Sequence, residues 1–284
     1  MSATQKSKKD IILILGYGNM ASAIALALDK QGRYALEICG RDVQKARDFI
    51  SKHSLKNATA IESKQSSPSK NDSLDSKPKI KIQDKILLLC IKPKGLSSFV
   101  YEGRAKGVYS ALAGVNIATL ESFMSAKYFA RLMPNVCARF SLSATAVFIS
   151  TKEDAPKKIK NQAQQIIESF GNAVFLASEN LIDSSIATSG SSPAFLALIA
   201  QSLIDAGVQE GLSRADSTSL VRQTFRGFAS LLDSATPQEI IESVTSPAGT
   251  TAQGLAVLED KAVRGAFLKA CKASVKKARQ NSLK

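Results

Sequence analysis

The sequence predicts an α/β fold: an N-terminal, mostly parallel sheet with helices on both faces, followed by an all-helical C-terminal domain. Three observations predict it. Short β-branched and aliphatic runs alternate with helical patterns through the first half of the chain. The first run, Ile11 to Leu15, is continuously apolar, as a strand covered on both faces must be, and it stops at Gly16. After about Ser178 the strand-like runs cease and every apolar period is helical. With 284 residues, 44% of them apolar, the chain is long enough for two cores, which divide it into 1–178 and 179–284.

In order, Ile11 to Leu15 reads as the first strand and Ala21 to Leu28 as the first helix. Leu36 to Cys39 reads as a second strand, and Asp42 to Ile50 as a second helix. Further strands are expected at Lys85 to Ile91, Val108 to Ala113, Tyr128 to Leu132, Thr145 to Ile149 and Ala173 to Leu176, with a helix from about Pro156 to Phe170 before the last. Between them, Glu62 to Lys79 is almost devoid of apolar residues and carries two prolines. It cannot bury enough surface to offset its ordering entropy, so a mobile insertion is expected there. In the second half, Ser192 with Pro193, Ser213 with Asp216, and Thr236 with Pro237 and Glu239 mark helix starts. A further helix opens at Thr250 or Thr251, and Val263, Phe267, Cys271 and Val275 line the last. Ala194 to Ala206 is the most apolar pattern and reads as a buried core helix. Several of these helices are apolar on more than one side, which burial against a second subunit explains.

Composition narrows the function. The apolar runs are too short for a signal-peptide core or a membrane span, so a cytoplasmic location is expected. Cys39, Cys90, Cys137 and Cys271 form no CxxC pair and have no His partner at ligand spacing, which argues against a metal site or a disulfide framework. The single histidine, His53, lies among Lys52, Ser54 and Lys56 and reads as a solvated surface residue. The net charge of +14 invites a nucleic-acid reading, but the cations are dispersed and no tryptophan is present for base stacking. An anionic cofactor and substrate suit the same field, with neither nucleic acid nor membrane as partner.

The chemistry begins at ILGYGNMA. Gly16, Gly18 and Ala21 fit G-x-G-x-x-[GA] between the first strand and helix, with Tyr17, Asn19 and Met20 completing the turn. Gly16 permits the tight turn, Gly18 lets a pyrophosphate approach, and Ala21 lets helix pack on strand, which makes this a Rossmann-type dinucleotide site. An NAD-specific site places an acid at the end of the second strand. Here that position reads CGRD, and Arg41 offers a guanidinium to a 2'-phosphate. NADPH is therefore expected, with NADH possible. Ile91, Lys92 and Pro93 lie past another strand end, on the nucleotide side of such sheets, and Asn135 of RLMPN is placed to touch the nicotinamide amide or the substrate.

GYGNMA, IKP, RLMPN, SGSSPAF (Ser189 to Phe195), DAGVQEGL (Asp205 to Leu212) and VTSPAGTTAQGLAVLE (Val244 to Glu259) occur in the order and approximate spacing of the pyrroline-5-carboxylate reductase family, which the chain resembles over essentially its whole length apart from the insertion. The resemblance implies NAD(P)H-dependent reduction of 1-pyrroline-5-carboxylate to L-proline. It also implies a helical domain that interlocks in a homodimer, within larger rings such as a decamer. Departures are small. Val136 and Cys137 replace the Thr and Pro of MPNTP, Ala248 replaces the first glycine of SPGGTT, Ser192 replaces the second glycine of SGSGPA, and Gly40 stands where Asn is frequent.

The segment SVTSPAGTT contains no side chain that titrates near neutrality. For a cyclic imine bearing a carboxylate, none is needed. A turn feeding a helix leaves backbone N–H groups at the positive end of its dipole, so the N–H groups of Gly249, Thr250 and Thr251 with the Ser246 hydroxyl are expected to grip the carboxylate. The family resemblance nominates Thr251 beside the ring nitrogen as the catalytic residue. The bland alternative is that Ser246 and Thr250 or Thr251 merely cap a helix. Other readings keep the cofactor but change the substrate to another cyclic imine or a keto or hydroxy acid, or abandon catalysis for nucleotide sensing or nucleic-acid binding.

Overall fold

The computed structural model describes residues 9–63, 77–151 and 156–282, and the chain divides into two compact units. One runs to Gly190 and takes back the C-terminal stretch from Val275; the other is Ser191–Ser274.

The first unit is built on eight strands: β1 (Ile11–Leu15), β2 (Ala35–Cys39), β3 (Ala58–Ile61), β4 (Ile86–Leu89), β5 (Gly107–Ser110), β6 (Tyr128–Met133), β7 (Ser143–Thr151) and β8 (Gly171–Phe175). Their spatial order is β8-β7-β6-β5-β4-β1-β2-β3. Every neighbouring pair is parallel except β6 and β7. The first strand has β2 on one side and β4 on the other, so the order reverses there, and ligands of such sheets bind beyond the strand ends at this point.

Alternation along β1 explains the layers. Ile12 and Ile14 join one apolar cluster with Ile24 and Leu28 of α1 (Asn19–Gln31) and Ile166 of α4 (Pro156–Ile167). Leu13 and Leu15 join the opposite cluster with Leu87, Leu89, Val108 and Leu120, the last from α3 (Ile117–Phe123). Each such side chain contributes roughly 1.5–3 kcal/mol when fully buried. Both β4 and β6 are buried at every position, which is why their sequences show no polar alternation.

Several short elements escape the sequence reading. At the sheet edge, β3 is partly exposed along its length, so ATAI lacks the unbroken apolar character of its neighbours. Short α3 spans less than two turns. Most of the segment 62–79 lies outside the described residues; at its end, Lys79–Lys81 forms a short strand paired with Val100–Glu102, which the sequence reading does not contain. His53 is half-buried rather than solvated. It ends α2 (Val43–Lys52) and packs edge-on against Phe49 with ring centroids 4.8 Å apart, and burial, aided by Lys52, lowers its pKa.

The first unit reaches past β8 because α5 (Asn180–Ser184) packs on the sheet through Ile182, which clusters with Met133, Ala146 and Ala278. Ala278 belongs to α10 (Val263–Ser282), whose last turns are also held by Arg279 donating to the Ser184 hydroxyl at 3.0 Å.

The second unit is helical: α6 (Ser192–Gln209), α7 (Arg214–Leu232), α8 (Pro237–Ser243), α9 (Thr250–Asp260) and the start of α10. Ser213 caps α7 by accepting from Asp216 N–H at 3.1 Å, and Thr236 and Glu239 form a reciprocal capping box on α8. At α6 the capping position is Ser191, not Ser192, and Pro193 is the second helical residue. The expectation that Ala194 to Ala206 is a buried core helix fails for the single chain: α6 has no buried residue, and Leu198 is 68% exposed. Leu220 and Val257 on neighbouring helices are 58% and 59% exposed. The stretch Asn180–Gln209 is long and apolar enough to cross a membrane by length and composition alone.

Candidate active site

The turn between β1 and α1 is held from two sides. Gly16 N–H donates to the Cys39 carbonyl at 2.8 Å, and Cys90 N–H donates to the Leu15 carbonyl at 2.9 Å. Gly16 takes a φ of +115°, and a Cβ there would lie 2.7 Å from the Cys90 carbonyl oxygen, so only glycine fits. Gly18 caps α1 with open space where a side chain would stand, no side chain caps the helix, and its first turn holds no acid. This unsealed, positive helix end fits the pyrophosphate of a dinucleotide. Gly18 and Asn19 are exposed, Tyr17 and Met20 are half-buried, and Ala21 is fully buried beneath them.

At the end of β2, Cys39 is buried and Arg41 is exposed. The two acids nearest this strand end along β2 and its turn are both engaged elsewhere. Asp42 uses its carboxylate to cap α2, accepting from Gln44 N–H at 2.8 Å and Lys45 N–H at 3.2 Å, and mid-strand Glu37 is paired with Lys85. Past β4, Ile91 packs beside Gly16, while Lys92 and Pro93 are exposed at the start of a 3-10 turn, Pro93–Ser98. Burial pushes the Cys39 thiol up to about 11 and Cys90 up to about 12, so both stay protonated at neutral pH and neither is a nucleophile.

The exit of β6 is a buried polar network. Asn135 is 8% exposed; its Oδ1 accepts from Cys137 N–H at 3.0 Å, and its Nδ2 donates to the Ser189 carbonyl and hydroxyl at 3.4 Å. Its N–H donates to the Ser143 hydroxyl, which also meets Thr145. The geometry supports Asn135 as the residue that holds this loop, and any ligand contact has to share an amide already in use. Four residues earlier, within β6, Arg131 is buried and donates to Asp183 at 2.9 Å and Glu179 at 3.3 Å, while Glu179 accepts from Ile117 N–H at 2.7 Å. Sequence reasoning missed this network, although one arginine inside the apolar strand YFARLM was the available signal.

In the second unit, Gly249 caps α9 and no side chain accepts from its first turn, so the helix-capping alternative for the Ser and Thr hydroxyls fails. The N–H groups of Thr250 and Thr251 head the helix without a capping acceptor. Gly249 N–H is different from expectation: it donates to the Ser246 carbonyl at 3.0 Å, closing a turn with Pro247 first and Ala248 second, and so is not available to a ligand. The Ser246 hydroxyl lies against Gly249, 2.3 Å from where a Cβ would stand, so a side chain there would push the hydroxyl from this position.

Ala248 has a φ of 57°, the left-handed conformation that a type II turn reserves for glycine at this place. Ala248→Gly is expected to stabilise the protein by about 0.5–1 kcal/mol, the relieved strain exceeding the added freedom of the unfolded chain. Urea denaturation at matched protein concentration checks it.

A mostly parallel sheet with a glycine turn at its switch point and an uncapped helix start beside it define the class of Rossmann-type dinucleotide-binding proteins. Residues 11–114 match the family described as NADP oxidoreductase, coenzyme F420-dependent, and residues 179–281 match pyrroline-5-carboxylate reductase dimerisation. A pyrroline-5-carboxylate reductase of Helicobacter pylori strain J99 is 46% identical over 95% of this chain and 99% of its own length. One from Synechocystis is 32% identical over 94% and 96%. The crystal structure of 1-pyrroline-5-carboxylate reductase from Streptococcus pyogenes superposes with a TM-score of 0.76 at 27% identity, covering 95% and 98% of the two chains. The chain belongs to the pyrroline-5-carboxylate reductase family. The exposed apolar faces of α6, α7 and α9 all lie in the region that matches the dimerisation family.

Proposed function

We propose that the protein reduces 1-pyrroline-5-carboxylate to L-proline, the last step of proline biosynthesis, with NADPH as the preferred reductant. NAD(P)H, when bound, supplies a hydride to the imine carbon. The protein's residues bind and orient the substrate around that event. The observation that carries the reading of the substrate site is the unsealed start of α9. Thr250 and Thr251 N–H groups and the Ser246 hydroxyl hold the carboxylate, with the helix dipole favouring the anion. The Thr251 hydroxyl hydrogen-bonds the ring nitrogen. A free threonine hydroxyl is a weak acid, so its work is to orient a protonated imine, and positioning supplies most of the acceleration.

On the coenzyme side, Gly16, Gly18 and the start of α1 receive the pyrophosphate, with Tyr17, Asn19, Met20 and Ala21 shaping that turn. Ile91, Lys92 and Pro93 border it, and Asn135 keeps the β6 exit in place. Arg41 pairs with the 2'-phosphate, a reading supported by its exposed guanidinium and by the commitment of Asp42 and Glu37 elsewhere. We place coenzyme binding in residues 1–178 and substrate binding and dimerisation in 179–284. The enzyme works in the cytoplasm as a homodimer or a larger ring of dimers such as a decamer, with no nucleic-acid or membrane partner.

The test is coenzyme oxidation followed at 1-pyrroline-5-carboxylate saturation, with NADPH and NADH side by side. Arg41→Ala is expected to raise KM for NADPH about tenfold or more, the scale of a charge-assisted pair, and to leave NADH nearly unchanged. Equal losses with both coenzymes remove Arg41 from the assignment; no oxidation with either removes the reaction.

A further inference from the structure

We propose that Tyr17 is a specificity-determining residue for the coenzyme, acting as a clamp on the turn that carries Arg41; the proposal rests on the reading of Arg41 above. The glycine motif asks nothing of the residue between Gly16 and Gly18, yet this one reaches across to the next strand end. Its Oη donates to the Asp42 carbonyl at 3.2 Å and accepts from the Asp42 N–H at 3.1 Å. The ring closes over Gly40 so tightly that a Cβ there would lie 2.2 Å from Oη and 2.4 Å from Cζ. Tyr17 and the bare Gly40 therefore fit as one unit, and this gives the glycine before Arg41 a physical reason.

The rest of the turn is fastened on the same pattern. Ser63 donates to the Gly40 carbonyl at 3.1 Å, Gly16 N–H reaches the Cys39 carbonyl at 2.8 Å, and the Asp42 carboxylate caps α2. Arg41 sits between two residues whose backbones are held, with its own side chain exposed. Without the phenol hydroxyl, the Asp42 N–H loses its Tyr17 partner, its carbonyl keeps only the Ala46 N–H, and the freedom of Gly40 passes to Arg41. A mobile guanidinium then surrenders more entropy when it meets a phosphate, so the cost falls on binding. NADH carries no 2'-phosphate and makes no call on that guanidinium, so its binding is spared.

The experiment measures KM and kcat with both coenzymes, and melting temperature, for Tyr17→Phe, Gly40→Ala and Arg41→Ala. Tyr17→Phe is expected to raise KM for NADPH about tenfold more than it raises KM for NADH, the size of two lost hydrogen bonds. Gly40→Ala, which forces the ring off its seat, is expected to lose NADPH preference in the same way. If Arg41→Ala is selective for NADPH while Tyr17→Phe and Gly40→Ala are silent or weaken both coenzymes equally, the clamp is wrong and the phosphate reading survives. If Arg41→Ala is itself unselective, the phosphate reading falls and the clamp falls with it.

Discussion

Thr251→Ala lowers kcat for 1-pyrroline-5-carboxylate about a hundredfold, the typical effect of deleting one preorganised donor at the reacting group, and leaves NADPH affinity nearly intact. The two effects separate because Thr251 is the second residue of α9 in the helical unit, whereas the proposed coenzyme contacts belong to the other unit. Thr251→Ser, which retains a hydroxyl, is expected to recover much of the rate. Thr250→Ala, which retains the backbone N–H, should cost little. Steady-state kinetics at saturating coenzyme, with NADPH fluorescence titration alongside, reads both quantities; unchanged turnover in Thr251→Ala removes the hydroxyl from the mechanism.

Arg131→Met destabilises the protein by about 3–5 kcal/mol, the cost of leaving a buried charge without its partner. The guanidinium is only 4% exposed, and Asp183 across from it only 10%, so water cannot take its place. The effect extends beyond one ion pair, because Glu179 also holds the Ile117 N–H at the start of α3. Combining Arg131→Met with Asp183→Leu is expected to recover most of the loss, since an apolar pair in the same space needs no charge compensation. Urea denaturation of the single and double variants decides it, and a single variant as stable as the parent overturns the account.

How far these features were legible in the sequence follows from how local their causes are. Gly16 and Gly18 announce their turn because a positive φ at Gly16 and the open start of α1 both call for residues without side chains, which is visible in the chain itself. Ser213 with Asp216 and Thr236 with Glu239 are caps formed within four residues, so spacing reveals them. Partners far apart in the chain leave no such mark. Arg131 meets Asp183 across 52 positions and Ser63 meets Gly40 across 23. The Gly249 N–H was expected at the ligand and is instead spent inside its own turn, because the backbone path through Ala248 is set by dihedral angles that composition does not express. Helix α6 shows the same limit on a larger scale: its apolar pattern was clear, yet no residue of it is buried within the single chain.

The start of α9 offers peptide hydrogens where many enzymes place a histidine or a lysine. Amide groups neither gain nor lose protons in ordinary buffers, so a carboxylate gripped this way is held equally from mildly acidic to alkaline solution. The acidity curve of turnover then belongs to the imine itself: the enzyme's activity at a given pH reports how much of its substrate arrives already carrying the proton.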